Sequence, residues 1–181
     1  DFRDKVLAMK TTNYDELMIK GKSAPEEFER LIKIVKVLRE NCPWDKVQTH
    51  ETLKTCMMEE AYETIEAINK GDFDNLREEL GDVLLQVILH GTLAEEKRNF
   101  DIESIINNEC EKMIYRHPYI FLEENVKTID KAKEKWENMK SKEQRTLSYT
   151  DRLKKVPLAL PALMRSLKIQ KRALKTGVDK D

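Results

Sequence analysis

Two short acidic words carry the chemistry this chain could do. Residues 59–63 read Glu-Glu-Ala-Tyr-Glu, and residues 79–82 read Glu-Leu-Gly-Asp. From Glu51 to Asp82 the acids are Glu51, Glu59, Glu60, Glu63, Glu66, Asp72, Asp74, Glu78, Glu79 and Asp82, against Lys54, Lys70 and Arg77. The local balance is −7 in a chain whose net charge is −1. Each word alone is ordinary on a solvated helix, because Glu is a good helix former. Their angular positions are less ordinary. At about 100° per residue, with Leu53 set at zero, Cys56, Met57, Ala67 and Ile68 define an apolar arc. Glu60 falls inside that arc, Glu63 lies on its edge, and Glu59 and Glu66 point further out. A carboxylate facing a core costs free energy unless something pairs with it.

The next helical segment repeats the anomaly. Glu79, Asp82, Gln86 and His90 fall within about 80° of one another, a polar stripe on an otherwise apolar cylinder. If the two segments fold back on each other through Gly71, the stripes meet and four carboxylates share one pocket. Two such charges about 4 Å apart repel by roughly 4 kcal/mol at an effective dielectric of 20, and a divalent cation resolves the repulsion. All-oxygen ligation suits Mg²⁺ or Mn²⁺, whereas zinc asks for Cys or His. A carboxylate-bridged di-iron bundle wants Glu-x-x-His pairs, and the sequence has none.

The elements that must position these groups are helices. The chain of 181 residues is 40% hydrophobic and 37% charged with five glycines and five prolines, which points to an all-α bundle and not to a turn-rich β fold. Ser23-Ala-Pro-Glu26 is a capping-box pattern opening an amphipathic helix from about 24 to 40. Asn41 to Thr49 breaks the period at Pro43 and reads as an ordered loop, with Thr49 as the next N-cap. The acidic hairpin comes next: one helix to about Lys70, Gly71 as its stop, Asp72 as the next cap, then a helix to about Arg98. The latter is apolar nearly all round through Val83–His90, which predicts burial inside a bundle or at a dimer interface. Gly81, inside it, predicts close helix packing or ligand approach. Asp101 caps a further helix that stops by His117-Pro118. Two more are expected, from Thr128 to Lys140 and from Pro157 to Lys175, with a polar connection between. The expected organisation is an N-terminal extension over 1–23, a catalytic helical domain over 24–140, and a linker with a C-terminal helix over 141–181.

Bulk properties narrow the function classes. A net charge near zero recommends neither nucleic acid nor an anionic membrane as partner. No apolar run is long enough to span a bilayer, and the opening Asp1-Phe-Arg-Asp-Lys5 has no signal-peptide core. Cys42, Cys56 and Cys110 are odd in number and widely spaced, as reduced cytoplasmic thiols are.

The residues also carry a resemblance. Glu59-Glu60-x-x-Glu63, then fifteen residues, then Glu79-x-x-Asp82 resembles the signature of the MazG family within the all-α nucleoside triphosphate pyrophosphohydrolases. Cys42-Pro-Trp-Asp-Lys46, Gln48-Thr-His50, Leu76-Arg-Glu-Glu-Leu-Gly-Asp82 and Arg116-His-Pro118 resemble MazG text in the same order, so that the likeness covers roughly residues 28–175. The resemblance implies a Mg²⁺-dependent enzyme that hydrolyses nucleoside triphosphates to monophosphates and pyrophosphate. It implies Glu60, Glu63, Glu79 and Asp82 as metal ligands and Glu59 as a further ligand or a water-orienting base, which makes Glu59, Glu60 and Glu63 the catalytic set. Family members commonly carry a second acidic repeat after a segment like Leu158–Arg165 and Lys168–Lys171, and this sequence stops at Gly177-Val-Asp-Lys-Asp181, where that repeat would begin.

Around the acids, Trp44 could stack on a nucleobase or plug a core edge. Lys46, Lys54, Arg77, Arg116 and Lys168 are cations suited to triphosphate oxygens, or ordinary surface charges. His50 and His90 read as structural histidines. The expectation is a cytoplasmic homodimer acting on a nucleoside triphosphate. Its rivals are a relative restricted to dUTP or phosphoribosyl-ATP, and a regulatory module that binds nucleotide and metal without turnover.

Overall fold

The structure is a computed structural model and describes residues 5–6, 14–122, 126–143 and 148–174, the side chains of Tyr149 and Arg152 excepted. Among these residues every regular element is an α-helix, in accord with the all-α expectation. In chain order they are α1 (Asp15–Met18), α2 (Ala24–Asn41), α3 (Pro43–Lys46), α4 (His50–Lys70), α5 (Phe73–Glu96), α6 (Ile102–Arg116), α7 (Pro118–Phe121), α8 (Ile129–Glu143), α9 (Tyr149–Lys154) and α10 (Ala162–Leu174). They form two compact units, Asp1–Asn107 and Asn108–Asp181, with the boundary inside α6.

The starts and stops reflect local chemistry. Ser23 caps α2 by accepting from the Glu26 N–H, while the Glu26 carboxylate reaches past the cap to the Lys22 N–H. At α4 the box closes reciprocally: Thr49 Oγ1 accepts from Thr52 N–H, and Thr52 Oγ1 accepts from Thr49 N–H. Asp72 caps α5 on Asn75, and Asp101 and Ser104 cap α6 in both directions. Gly71 ends α4 with φ of 67°, a left-handed conformation that glycine adopts without the Cβ penalty. Its N–H and that of Asp72 return to the carbonyls of Ile68 and Ala67, which turns the chain back on itself within two residues.

Several expected boundaries differ. Asn41–Thr49 is not all loop, because Pro43 opens the helical turn α3, where a missing N–H is harmless. The last helix begins at Ala162 and not Pro157, since Pro161 disfavours α geometry at Leu160. Part of the expected polar connection is helical, as α9. α5 stops at Glu96, just before Arg98 takes a φ of 55°.

The core of the first unit gathers Val35 from α2, Leu53 from α4, and Ile88, Leu89 and Leu93 from α5, with Phe28, Leu31, Ile32, Leu85 and Ile102 packed around them. Burial of each such side chain contributes roughly 1.5–3 kcal/mol, so this cluster fixes α4 against α5 and both against α2. Gly91 faces α6, and a Cβ there would sit in ordinary contact, 3.5 Å from Ile102 and Ile105. Gly81 has nothing within 4 Å of its Cβ position among the described residues, so close packing within the chain does not explain it. α5 is buried mainly along its second half. Phe73, Leu80 and Leu84 in its first half are exposed, as are Met58, Tyr62, Ile65 and Ile68 on α4. Ile68, expected in the core arc, is 58% exposed.

In the second unit Val156 is buried. The Arg116 guanidinium donates two bonds to the Glu143 carboxylate, at 2.9 and 2.7 Å, which ties the end of α6 to the end of α8. Arg116 and Lys140 both lie over the Trp136 ring, 5.7 and 4.5 Å from its centroid.

Candidate metal centre

The α4–α5 hairpin sets the geometry of the acids. Its register brings the first turn of α4 to the later turns of α5, where His50 Nδ1 and His90 Nδ1 are 2.8 Å apart. The two ring planes differ by 4° and the centroids are 5.1 Å apart. One ring must therefore carry its proton on Nδ1 and the other accept there. Burial, then the nearby His50, lowers the His90 pKa from its ordinary value.

One turn up α5 from His90 lies Gln86, 6% exposed, whose Oε1 is buried with no hydrogen-bond partner among the described residues. A turn further are the acids. One carboxylate oxygen each from Glu60, Glu79 and Asp82 lies within 4.8 Å of the others. Glu79 is buried at 8% exposure, Glu60 and Asp82 are half-buried, and Glu59 and Glu63 are exposed.

The electrostatics record the crowding. Burial first, then the charges of Asp82, Glu63 and Glu59, raises the Glu60 pKa. For Glu79 the upward causes are burial, the charges of Glu63 and Asp82, and a hydrogen bond with Glu63. The Glu63 and Glu79 side chains thus meet across the hairpin. An arrangement that drives carboxylates toward protonation is one a cation would relieve. The donor set is all oxygen, which fits a hard divalent ion, and the orphaned Gln86 oxygen is a further neutral acceptor one turn away.

The structure brings Glu60, Glu63, Glu79 and Asp82 into one neighbourhood and leaves Glu59 beside it on the exposed face of α4. Of the cations named from the sequence, Lys54 pairs with Glu51 and Arg77 with Asp74, both on exposed helix surface. Trp44 and Lys46 sit exposed on α3. Arg116 and Lys168 belong to the second unit, Arg116 paired with Glu143 and Lys168 exposed on α10. Sequence reasoning missed Arg39, whose partners include one far along the chain.

Comparison with known proteins fits this geometry. The profile of the MazG nucleotide pyrophosphohydrolase domain matches residues 48–121, a span that includes both acidic words. A solved structure, the mazG-related protein from Thermotoga maritima, superposes with a TM-score of 0.56 at 34% identity over 62% of this chain and 98% of its own. The chain belongs to the MazG family. Among longer MazG relatives, the Escherichia coli (strain K12) nucleoside triphosphate pyrophosphohydrolase is 38% identical over 84% of this chain and 59% of its own length. The uncharacterized protein YabN of Bacillus subtilis is 44% identical over 80% of this chain and 30% of its own. This MazG chain thus spans between about a third and three fifths of these two relatives.

Proposed function

We propose that this MazG chain hydrolyses nucleoside triphosphates to monophosphates and pyrophosphate, with Mg²⁺, or Mn²⁺ in its place, held by Glu60, Glu63, Glu79 and Asp82. The observation that carries the reading is the carboxylate cluster of the α4–α5 hairpin, three of whose oxygens lie within 4.8 Å of one another. The Escherichia coli relative bears the same activity in its name. A divalent ion, when bound, supplies charge neutralisation for the phosphate oxygens and for the pyrophosphate leaving group. The protein's own part is positional. Glu59, an exposed carboxylate beside the cluster, is the base proposed to take a proton from the attacking water. The water oxygen bonds to the α-phosphorus, the bond from that phosphorus to the bridging oxygen breaks, and pyrophosphate leaves with the electron pair. No nucleophilic side chain is needed.

Trp44 and Lys46 on α3, with Lys54 on α4, are the groups proposed to meet the base and phosphates. Trp44 is 57% exposed and Lys46 makes no ion pair among the described residues, as suits groups awaiting a ligand. A homodimer belongs to the same reading: the exposed Met58, Tyr62, Ile65, Phe73, Leu80 and Leu84 of the hairpin offer apolar surface that a second copy would cover. A cytoplasmic setting is part of it too, supported by the free thiols of Cys42, Cys56 and Cys110. No helix among the described residues is long and apolar enough to cross a membrane.

Product analysis tests the reaction. Incubation of triphosphates with Mg²⁺ yields pyrophosphate and monophosphate, and Asp82→Asn or Glu63→Gln removes turnover while the helical circular-dichroism spectrum is retained. Release of orthophosphate with diphosphate overturns the assignment. Tight Mg²⁺-dependent nucleotide binding without any product points instead to a regulatory module, and turnover of dUTP or phosphoribosyl-ATP alone to a narrow-substrate relative.

A further inference from the structure

Arg39 is the most heavily engaged cation among the described residues of the first unit. Its side chain is 9% exposed and ends at the junction of three segments. Nε and Nη2 donate to the two Glu96 oxygens at the end of α5, both at 2.8 Å. Nη1 donates to the backbone carbonyl of Asp45 and, at 3.3 Å, to that of Gln48. Both carbonyls lie at the C-terminal side of α3, where a positive charge is favoured, and that of Asp45 also accepts from the Gln48 N–H at 3.1 Å.

The same segment is tied from its other side. Gln48 Nε2 donates to the Trp44 carbonyl at 3.0 Å, and Gln48 Oε1 accepts from Thr52 Oγ1 at 2.8 Å, inside the capping box that starts α4. Three carbonyls in the turn, those of Trp44, Asp45 and Gln48, are thus held by side chains. The groups this bonding presents to solvent are an indole ring and the ammonium of Lys46. An exposed aromatic on a backbone so constrained has given up its backbone freedom before any ligand arrives, which is how a binding surface gains affinity by preorganisation.

The geometry points to Arg39 as the positioning residue for nucleotide binding: by clamping α3 to Glu96 it holds Trp44 as a preformed stacking platform for a nucleobase, with Lys46 beside it for phosphate. This rests on the reading of Trp44 as a base-contacting residue. Lysine cannot replace the guanidinium here, because one ammonium cannot address both Glu96 oxygens and two carbonyls in a planar fork.

The test is a double-mutant cycle on the full 181-residue chain, with Mg²⁺ and α,β-methylene ATP as the probe and calorimetry as the readout. Arg39→Lys raises the Kd about tenfold, as does Trp44→Ala, and the double variant is no weaker than Trp44→Ala alone. In turnover, Arg39→Lys raises KM and changes kcat less than about twofold. Should Arg39→Lys fail to fold, Glu96→Gln, which leaves both carbonyl bonds possible, carries the same cycle with a smaller effect in the same direction. If Arg39→Lys weakens binding by the same factor with and without Trp44, Arg39 acts elsewhere and the inference is overturned. If Trp44→Ala weakens binding and neither Arg39→Lys nor Glu96→Gln does, the platform stands without Arg39 and the inference fails. Unchanged binding in Trp44→Ala removes the platform itself and the inference with it, and leaves the metal centre untouched.

Discussion

Gln86 offers a direct measurement of the stability this MazG hairpin gives up for its polar seam. Its Oε1 is buried without a partner among the described residues, and the residue is 6% exposed. A buried acceptor that lost water and gained nothing costs about 1–3 kcal/mol. Methionine has nearly the same length and shape, so Gln86→Met removes the orphaned oxygen while it preserves packing. For a chain of this size 1 kcal/mol moves Tm by about 2–4 °C, so the variant should melt roughly 2–12 °C higher in metal-free, nucleotide-free buffer. Thermal unfolding followed by circular dichroism reads the shift, and a urea midpoint that moves at constant m confirms it as stability. A lower Tm in Gln86→Met refutes the reasoning, because it means the amide supports the hairpin through bonds other than those described. The same variant tests why a bare oxygen is kept next to the carboxylates. If bound nucleotide uses it, the more stable protein turns over more slowly, a trade of stability against activity.

Two further outcomes come from local chemistry. Because the His90 pKa is lowered in the folded protein, the unfolded chain binds the proton first as pH falls below about 6.5. The contribution is therefore complete above that pH and is lost as pH falls toward the folded value. Urea midpoints between pH 7.5 and 5.5 should decline more steeply for the wild type than for His90→Leu, and parallel lines would show that the pair is silent. Gly71→Ala, forced to a φ of 67°, should cost about 1–2 kcal/mol and lower Tm by a few degrees, with no change if another residue absorbs the turn.

The helical scaffold was legible because its signals are local. Ser23, Thr49, Asp72, Asp101 and Gly71 announce ends that depend on residues at most four apart, and these hold in the structure. Proline was the ambiguous letter. Pro43 reads as a breaker yet opens a helical turn, whereas Pro161, read through, is the true boundary. Local sequence allows either outcome at Pro43, and side chains from outside the turn decide it: Arg39 and Gln48 hold the carbonyls of Asp45 and Trp44. The facing of the acids was legible from periodicity plus one glycine turn. Arg39 was not, because Glu96 lies 57 residues away and nothing in either neighbourhood names the other. The exposure of Ile68 and Phe73 was equally hidden, since a hydrophobic stripe shows where apolar surface is but not which element covers it.

The two-residue reversal at Gly71 has a consequence for how the protein comes into being. Every carboxylate of the cluster lies within the stretch from Glu60 to Asp82, so the donors meet as soon as one hairpin closes. Pairings of such short sequence separation form early and fast, ahead of contacts like Arg39 to Glu96 that must wait for distant segments. Assembly is therefore expected to run from the acids outward, with the cluster formed before the aromatic platform is set in place.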